Sequence, residues 1–464
     1  MEHLKLLIIG AGPGGYVAAI RAAHLGLKTA LVEKEGKLGG TCLLRGCIPT
    51  KSLLHSADLL QQLRGARSHG VVAGEVGFDF AGVQKAREKA VVKGAAGVSY
   101  LMKQNQVEVH AGVGRFVDSG TVEVTGAAGV ARLVARHIIV ASGSVPKQLP
   151  FLPVDGEHVV TSDELLAVAR PPASLVVLGA GAVGIEFASI FSRFGTQCTV
   201  VEMLDRVLPI EDEEVSAELE KLLKKRGIRV HTGARLEQAA LAEGQVKARL
   251  SGREGPVELE AEMLLVAVGR APYTEGLGLE AAGLGGDAGG FIPVNGFMQT
   301  AQPGIYAIGD VVRTPQLAHV ASAEALLAVD HLAGHAVRPL DYGHTPSCTY
   351  CDPEVASVGL SERAAREQGH DVKVGRFPFS ALGKARVLGV SEGFVKVVAE
   401  AKYGELLGVH IIGPHATDLI AEAVVALELE CTVEALARTM HAHPTLPEAL
   451  LEAAHGAVSR PIHL

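Results

Sequence analysis

Cys42 and Cys47 are separated by Leu43, Leu44, Arg45 and Gly46. Two thiols this close in a chain can make and break a disulfide, which takes up or releases two electrons. In an ideal helix they would lie about 7.5 Å apart along the axis alone, whereas a disulfide needs Cα atoms closer than roughly 7 Å. The segment is therefore expected to depart from a regular helix when oxidised. Gly39, Gly40, Gly46 and Pro49 permit the distortion. Taken alone, the pair also fits a structural disulfide or two unbridged buried thiols.

Two further clusters carry possible chemistry. The run His441-Ala442-His443-Pro444-Thr445-Leu446-Pro447-Glu448 places a histidine near a carboxylate, as an acid–base pair requires. Thr445 and Glu448 equally fit a Ser/Thr-x-x-Glu capping box for a final helix, and spacing alone favours that cap. The two oxygens of Glu448 are not expected to serve the His443 ring and the Thr445 amide together at good geometry. Cys348 and Cys351 have metal-ligand spacing, but no second Cys/His pair accompanies them. Buried, unbridged cysteines are expected there, and no metal.

These groups must be positioned, and the chain supplies the same device twice. A strand at Leu6–Ile9 runs into Gly10-Ala11-Gly12-Pro13-Gly14-Gly15, an Ala-rich helix from Tyr16 to about Leu25, and a strand from Lys28 to Glu33. Further on, Leu175–Leu178 runs into Gly179-Ala180-Gly181-Ala182-Val183-Gly184, a helix to about Phe194, and a strand from Gln197 to Glu202. Backbone amides at such a helix N-terminus can cradle a pyrophosphate. The first glycine allows the tight turn, the second lets the phosphate approach, and the third lets helix pack on strand. In both copies the acidic residue, Glu33 or Glu202, falls 23 positions after the first glycine. It is placed to accept from adenosine ribose hydroxyls, and the shared interval indicates an internal duplication. The first turn would let an extended flavin dinucleotide reach the cysteine pair. At the second, Glu202 would repel a 2′-phosphate, and Met203-Leu204-Asp205-Arg206 offers one Arg beside an Asp, which favours NAD over NADP.

Strands ending at Gly143 and Gly269, and another through Gly304–Asp310, close these units; an Ala-rich helix follows at about 321–333, and from about Asp341 the texture becomes strands plus amphipathic helices. The expected regions are 1–145, 146–270, 271–340 and 341–464. The fold class is α/β: two Rossmann-like dinucleotide-binding domains, a central region and a C-terminal α+β domain. Composition is that of a globular protein, with 48% hydrophobic and 20% charged residues. A net charge of −8 gives no basic footprint for nucleic acid or an anionic membrane. The longest uncharged stretch, 288–309, holds Pro293, Asn295, Gln299, Gln302 and Pro303 and does not read as a membrane span. Six cysteines are too few for a disulfide scaffold, and no targeting segment is read at the N-terminus, so a cytoplasmic location is expected.

In order along the chain, several motifs accumulate: Gly39-Gly40-Thr41-Cys42 to Cys47-Ile48-Pro49-Thr50-Lys51, Gly181 to Glu186, Gly269-Arg270-x-Pro272, Tyr306 to Asp310, Leu317-Ala318-His319 and His443 to Glu448. Carrying them, the chain resembles the flavin-dependent pyridine nucleotide–disulfide oxidoreductases over essentially its whole length. Within that family it is most similar to the members that oxidise protein-bound dihydrolipoamide with NAD. The resemblance implies FAD held through Gly10, Gly12, Gly15, Glu33, Lys51, Gly143, Asp310, Ala318 and His319. It implies NAD held through Gly179, Gly181, Gly184, Glu186, Glu202 and Gly269. Cys47 would be the thiolate facing the flavin and Cys42 the interchange thiol. His443, from the partner subunit of a homodimer, would be the acid–base group, and Glu448 would orient it, a role that Pro447 favours because its fixed φ starts the helix without a cap. Implied partners are the lipoyl domains and acyltransferase core of a 2-oxo acid dehydrogenase complex, or the lipoyl protein of glycine cleavage. The chain departs from the family pattern at Leu43, Arg45, Pro447, Cys348 and Cys351. Rival readings are a glutathione-reductase-like enzyme, which would want Arg residues after Glu202, and a non-catalytic docking subunit, which would not need the full Cys42, Cys47 and His443 set.

Overall fold

The computed structural model describes residues 4–252 and 255–464. The chain falls into two compact units: residues 1–53, 79–147 and 269–342 form the first, and 54–78, 148–268 and 343–464 the second.

The first unit is built on a parallel sheet. Strand Leu4–Ile9 lies between Thr29–Glu33 and Gly129–Val140, parallel to both. Glu108–Ala111 and Ile305–Ala307 extend it, also in parallel. Both faces are covered. Leu6 and Ile8 enter one core with Ala18, Ala19 and Ala22 of helix Pro13–His24 and Ala325 and Ala328 of helix Ala318–Leu332. Leu4, Leu7 and Ile9 enter a second core with Phe116, Val122 and Val124. This double burial is why the strand reads as a continuous apolar run rather than an alternation. Each Leu, Ile or Val removed from water contributes about 1.5–3 kcal/mol. The helix begins at Pro13, three residues before the expected Tyr16, because proline supplies a helical φ where no amide partner is needed. Gly129–Val140 also joins an antiparallel meander with Thr121–Gly126 and Val113–Phe116. A short antiparallel pair, Ser144–Pro146 with Arg270–Pro272, completes the unit.

The second unit repeats the parallel plan. Ser174–Leu178 lies between Gln197–Val201 and Met263–Val266, flanked in turn by Arg229–His231 and Val159–Val160, all parallel. Helix Ala182–Arg193 follows its glycine turn. An antiparallel sheet of Arg235–Ala242, Gln245–Ser251 and Val257–Ala261 is inserted after it. The C-terminal part is a five-stranded sheet covered by helices Ala416–Glu428 and Glu448–Val458. The last helix lies almost on bare backbone: a Cβ at Gly375 would sit 1.9 Å from the Ala453 carbonyl oxygen. That contact fixes the helix whose first residue is Glu448. Among the described residues no helix is long and apolar enough to cross a membrane.

Candidate active site

The two glycine turns have the same internal geometry. Gly10 and Gly179 both take φ +106°, and a Cβ there would meet the Ala141 or Ala267 carbonyl oxygen at 2.3 or 2.4 Å. A Cβ at Gly15 or Gly184 would lie 1.8 or 1.9 Å from the carbonyl oxygen of the first glycine, so helix and turn touch through backbone. The acidic residues are anchored alike. Glu33 accepts from the Ala11 amide at 2.9 Å and the Glu35 amide at 3.0 Å. Glu202 accepts from the Ala180 amide at 2.7 Å and the Leu204 amide at 2.8 Å. Each carboxylate oxygen keeps a second lone pair for a ribose hydroxyl, so these residues shape the turn as well as face a ligand. Arg206 bonds Glu213 at 2.9 Å and the Pro209 carbonyl at 3.0 Å, away from service to a 2′-phosphate.

The middle glycines differ. Around Gly181 a Cβ would meet nothing within 4 Å. Gly12 instead backs onto Gly40, at the head of the cysteine segment: a Cβ on Gly40 would lie 2.5 Å from the Gly12 Cα, and Gly40 has φ +58°. The two cysteines flank a break. One helical turn spans Gly40–Arg45, Gly46 leaves helical geometry at φ −134°, ψ −107°, and a second helix runs Cys47–Gly65. The expected distortion is present without a disulfide between the two cysteines, so it is built into the backbone. A hydrogen bond with Cys47, then burial and the charge of Cys47, push the Cys42 thiol well above its ordinary range, against the pull of Lys51. Leu43 packs over Gly39 and Gly94, and Arg45 pairs with Glu35.

Elsewhere in the first unit, Gly143 takes φ +75° and its carbonyl accepts the Tyr273 amide at 2.8 Å. Asp310 accepts from the Ser144 hydroxyl at 2.5 Å, and Arg270 donates to the Ser144 hydroxyl at 2.6 Å and the Ser144 carbonyl at 2.8 Å. The turn before Asp310 is held by Glu324, fully buried, which accepts the Gly309 amide at 2.6 Å and the Tyr342 hydroxyl at 2.9 Å. Ala318 and His319 occupy the first turn of helix Ala318–Leu332. Gly269 is the residue at which the chain returns to the first unit, and its carbonyl accepts the Lys147 amide at 3.0 Å within that unit. Buried Glu186 accepts the Tyr350 amide at 3.0 Å. Cys351 is buried and donates to the Pro353 carbonyl at 3.0 Å, and Cys348, not in a disulfide, packs at the edge of the C-terminal core. Among the described residues no group of three or more His, Cys, Asp or Glu is placed to hold a metal ion.

Glu448 corrects one expectation. It bonds His443 Nδ1 at 2.8 Å through Oε1 and accepts the Thr445 amide at 2.7 Å through Oε2. Both bonds form because the loop doubles back at Pro444, bringing ring and amide to the two divergent oxygens. The capping box is only half made: Thr445 donates its hydroxyl to the Ala442 carbonyl at 2.6 Å, and Pro447 leads into the helix with φ −55° and no side-chain cap. Burial pushes the Glu448 carboxyl up, but the Thr445 amide, the His443 ring and the charges of His443 and His441 outweigh it and hold the carboxyl below its usual range.

Residues 4–325 match the pyridine nucleotide-disulphide oxidoreductase model, and residues 345–454 match the dimerisation domain of the same family. The chain belongs to the pyridine nucleotide-disulphide oxidoreductase family. It is 47% identical to a dihydrolipoyl dehydrogenase of Bacillus subtilis, over 99% of this chain and 98% of that one. With a dihydrolipoyl dehydrogenase of Chlorobaculum tepidum it shares 46% identity, over 98% and 97%. Among solved structures it is similar to LpdA from Mycobacterium tuberculosis, at TM-score 0.90 and 28% identity, covering 97% of this chain and 99% of that one. It is likewise similar to the HOCl-induced flavoprotein disulfide reductase RclA from Escherichia coli, at TM-score 0.86 and 26% identity, covering 97% and 99%.

For a member of this oxidoreductase family, the residues present fit two dinucleotides. Each turn has tight outer glycines and a middle glycine whose missing Cβ leaves the approach clear. Sequence reasoning named Asp310 but missed Ser144 and Glu324, which fix it. Their contacts join residues 166 and 15 positions apart, and no local pattern announces them.

Proposed function

We propose that this chain is a dihydrolipoyl dehydrogenase, oxidising a protein-borne dihydrolipoyl group to the cyclic disulfide and reducing NAD+ to NADH. The observation that carries the reading is the hydrogen-bonded Cys42–Cys47 pair on a segment whose first glycine is wedged against Gly12. FAD binds at the first turn and NAD at the second, and together they supply the two-electron path from the reduced cysteine pair to NADH. The residue roles follow. His443, held by Glu448, takes a proton from one dihydrolipoyl thiol. That sulfur attacks Cys42, a mixed disulfide forms, and the Cys42–Cys47 bond breaks with its electron pair left on Cys47. His443 passes that proton to the Cys42 sulfur as it leaves and takes the proton of the second lipoyl thiol, whose sulfur attacks the first and closes the ring. The enzyme has gained two electrons and two protons, one proton on Cys42 and one on His443, with the negative charge on Cys47.

On this reading the chain has four regions: 1–145 for FAD and the cysteine pair, 146–270 for NAD, 271–340 contributing to the FAD site, and 341–464 for dimerisation. His443 would serve the thiols of the second copy, in the cytoplasm, with lipoyl domains of a 2-oxo acid dehydrogenase or glycine-cleavage complex as substrates. The direct test is an assay of the purified protein. Dihydrolipoamide with NAD should turn over far faster than glutathione disulfide with NADPH; the reverse order would reject the reading. Mixing inactive Cys42→Ser and His443→Gln subunits should restore about a quarter of the activity, since a random heterodimer holds one intact shared site in half the population. No recovery after verified exchange would refute sharing.

A further inference from the structure

Two histidines flank Ala442, and their surroundings are opposite. The His443 side chain is 78% exposed, with Glu448 as its anchor. The His441 side chain is 6% exposed. Its Nδ1 lies 2.8 Å from the Thr439 carbonyl oxygen, and its Nε2 lies 2.8 Å from Glu422 Oε1 on helix Ala416–Glu428. Both ring nitrogens are thus engaged, one by a backbone carbonyl of its own loop and one by a carboxylate of another helix.

The position matters because the loop is held at few points. From Arg438 to Pro444 every residue is exposed except His441. Thr439 reaches back to the Ala435 carbonyl at 2.9 Å, and Thr445 closes onto Ala442. His443 ties the stretch to the first residue of helix Glu448–Val458, and His441 ties it to helix Ala416–Glu428. The carboxylates near it are Glu422 from helix Ala416–Glu428 and Glu448 from helix Glu448–Val458, whose carboxyl His441 helps hold down.

We propose that His441 is a positioning residue for the acid–base pair: bonded to Glu422 and Thr439, it pins the loop carrying His443. The inference rests on the reading of His443 as the acid–base group. It predicts a loss in chemistry rather than in NAD binding, since a group displaced by about 1 Å can cost up to ~100-fold.

The test compares His441→Gln, Glu422→Gln, the double variant and His443→Gln in the flavin-loaded protein. His441→Gln should lower kcat for dihydrolipoamide roughly tenfold, consistent with a partial misplacement, and leave KM for NAD unchanged. Glu422→Gln, which keeps the shape and still folds if the histidine variant does not, should lower kcat in the same way and also leave KM for NAD unchanged. The double variant should be no worse than the worse single, because the two side chains act as one unit. An unchanged kcat, or additive losses with a lowered Tm alone, would overturn the proposal. So would full dihydrolipoamide turnover in His443→Gln, but that result would also remove the acid–base assignment itself, whereas the first two leave it standing.

Discussion

The two glycine turns are nearly superposable in their local rules and unlike in what surrounds them. Their first glycines share φ +106°, their third glycines sit on backbone, and each carboxylate holds two amides of its own turn. Yet Gly12 is backed by Gly40 and the cysteine segment, while a Cβ at Gly181 would meet nothing within 4 Å. The duplicated motif thus sets where a pyrophosphate can lie. The neighbouring element sets what the site is for. A turn wedged against a redox pair suits a resident cofactor that exchanges electrons with that pair. An open turn suits a nucleotide that must leave after each cycle. The lesson is that a dinucleotide fingerprint identifies a ligand class, and its surroundings identify a role.

That contrast can be broken by adding one methyl group to each turn. Gly40→Ala forces φ +58° on a residue with a Cβ and drives that Cβ into Gly12. It should cost roughly 2–5 kcal/mol, by combined backbone strain and overpacking, and the protein should purify with much of its flavin lost. Gly181→Ala should leave Tm and flavin content unchanged and raise KM for NAD about tenfold or more, since the methyl obstructs only the approaching pyrophosphate. Equal effects on flavin retention and Tm would show that the surroundings do not distinguish the turns.

Outside both turns, Glu448→Gln gives a reference. An amide can replace only one of the two accepted bonds well, so kcat for dihydrolipoamide should fall about tenfold, roughly 1.4 kcal/mol in barrier. The stability cost should stay near 1 kcal/mol, as for one helix-end interaction. Normal turnover with a lowered Tm would assign the residue to structure alone. A smaller effect is expected at the second turn's carboxylate. Glu202→Ala together with Met203→Arg should lower the NAD/NADP preference about tenfold, the worth of one charged contact. Because Glu202 also holds the Ala180 and Leu204 amides, efficiency with NAD should fall as well. An unchanged preference would mean that discrimination lies elsewhere.

Much of this was legible in the chain because it is local. The glycine intervals, the strand–turn–helix order, the break at Gly46 and the pairing of His443 with Glu448 are all set within a few residues. The double duty of Glu448 was not, since it depends on how Pro444 folds the loop back onto the helix. Nor were the supports of Asp310. Ser144, Arg270 and Glu324 meet it or its turn from distant strands and helices, and each looks ordinary in its own segment. His441 stood in plain view in the His-Ala-His run, but its partner Glu422 lies 19 residues earlier on another helix. The early start of the first helix reflects Pro13, whose φ suits the first helical position.

The central claim is that Cys42 and Cys47 form one redox unit in which Cys42 keeps the proton and Cys47 carries the charge towards the flavin. Anaerobic reduction of the purified yellow protein by dihydrolipoamide, followed by absorbance beyond the flavin band, tests it most directly. A long-wavelength thiolate-to-flavin absorbance should appear in the wild type. It should persist in Cys42→Ser, which retains Cys47 but loses lipoamide turnover, and vanish in Cys47→Ser. A band that survives Cys47→Ser and disappears in Cys42→Ser would exchange the two assignments, and its absence from an NAD-active wild type would contradict the account.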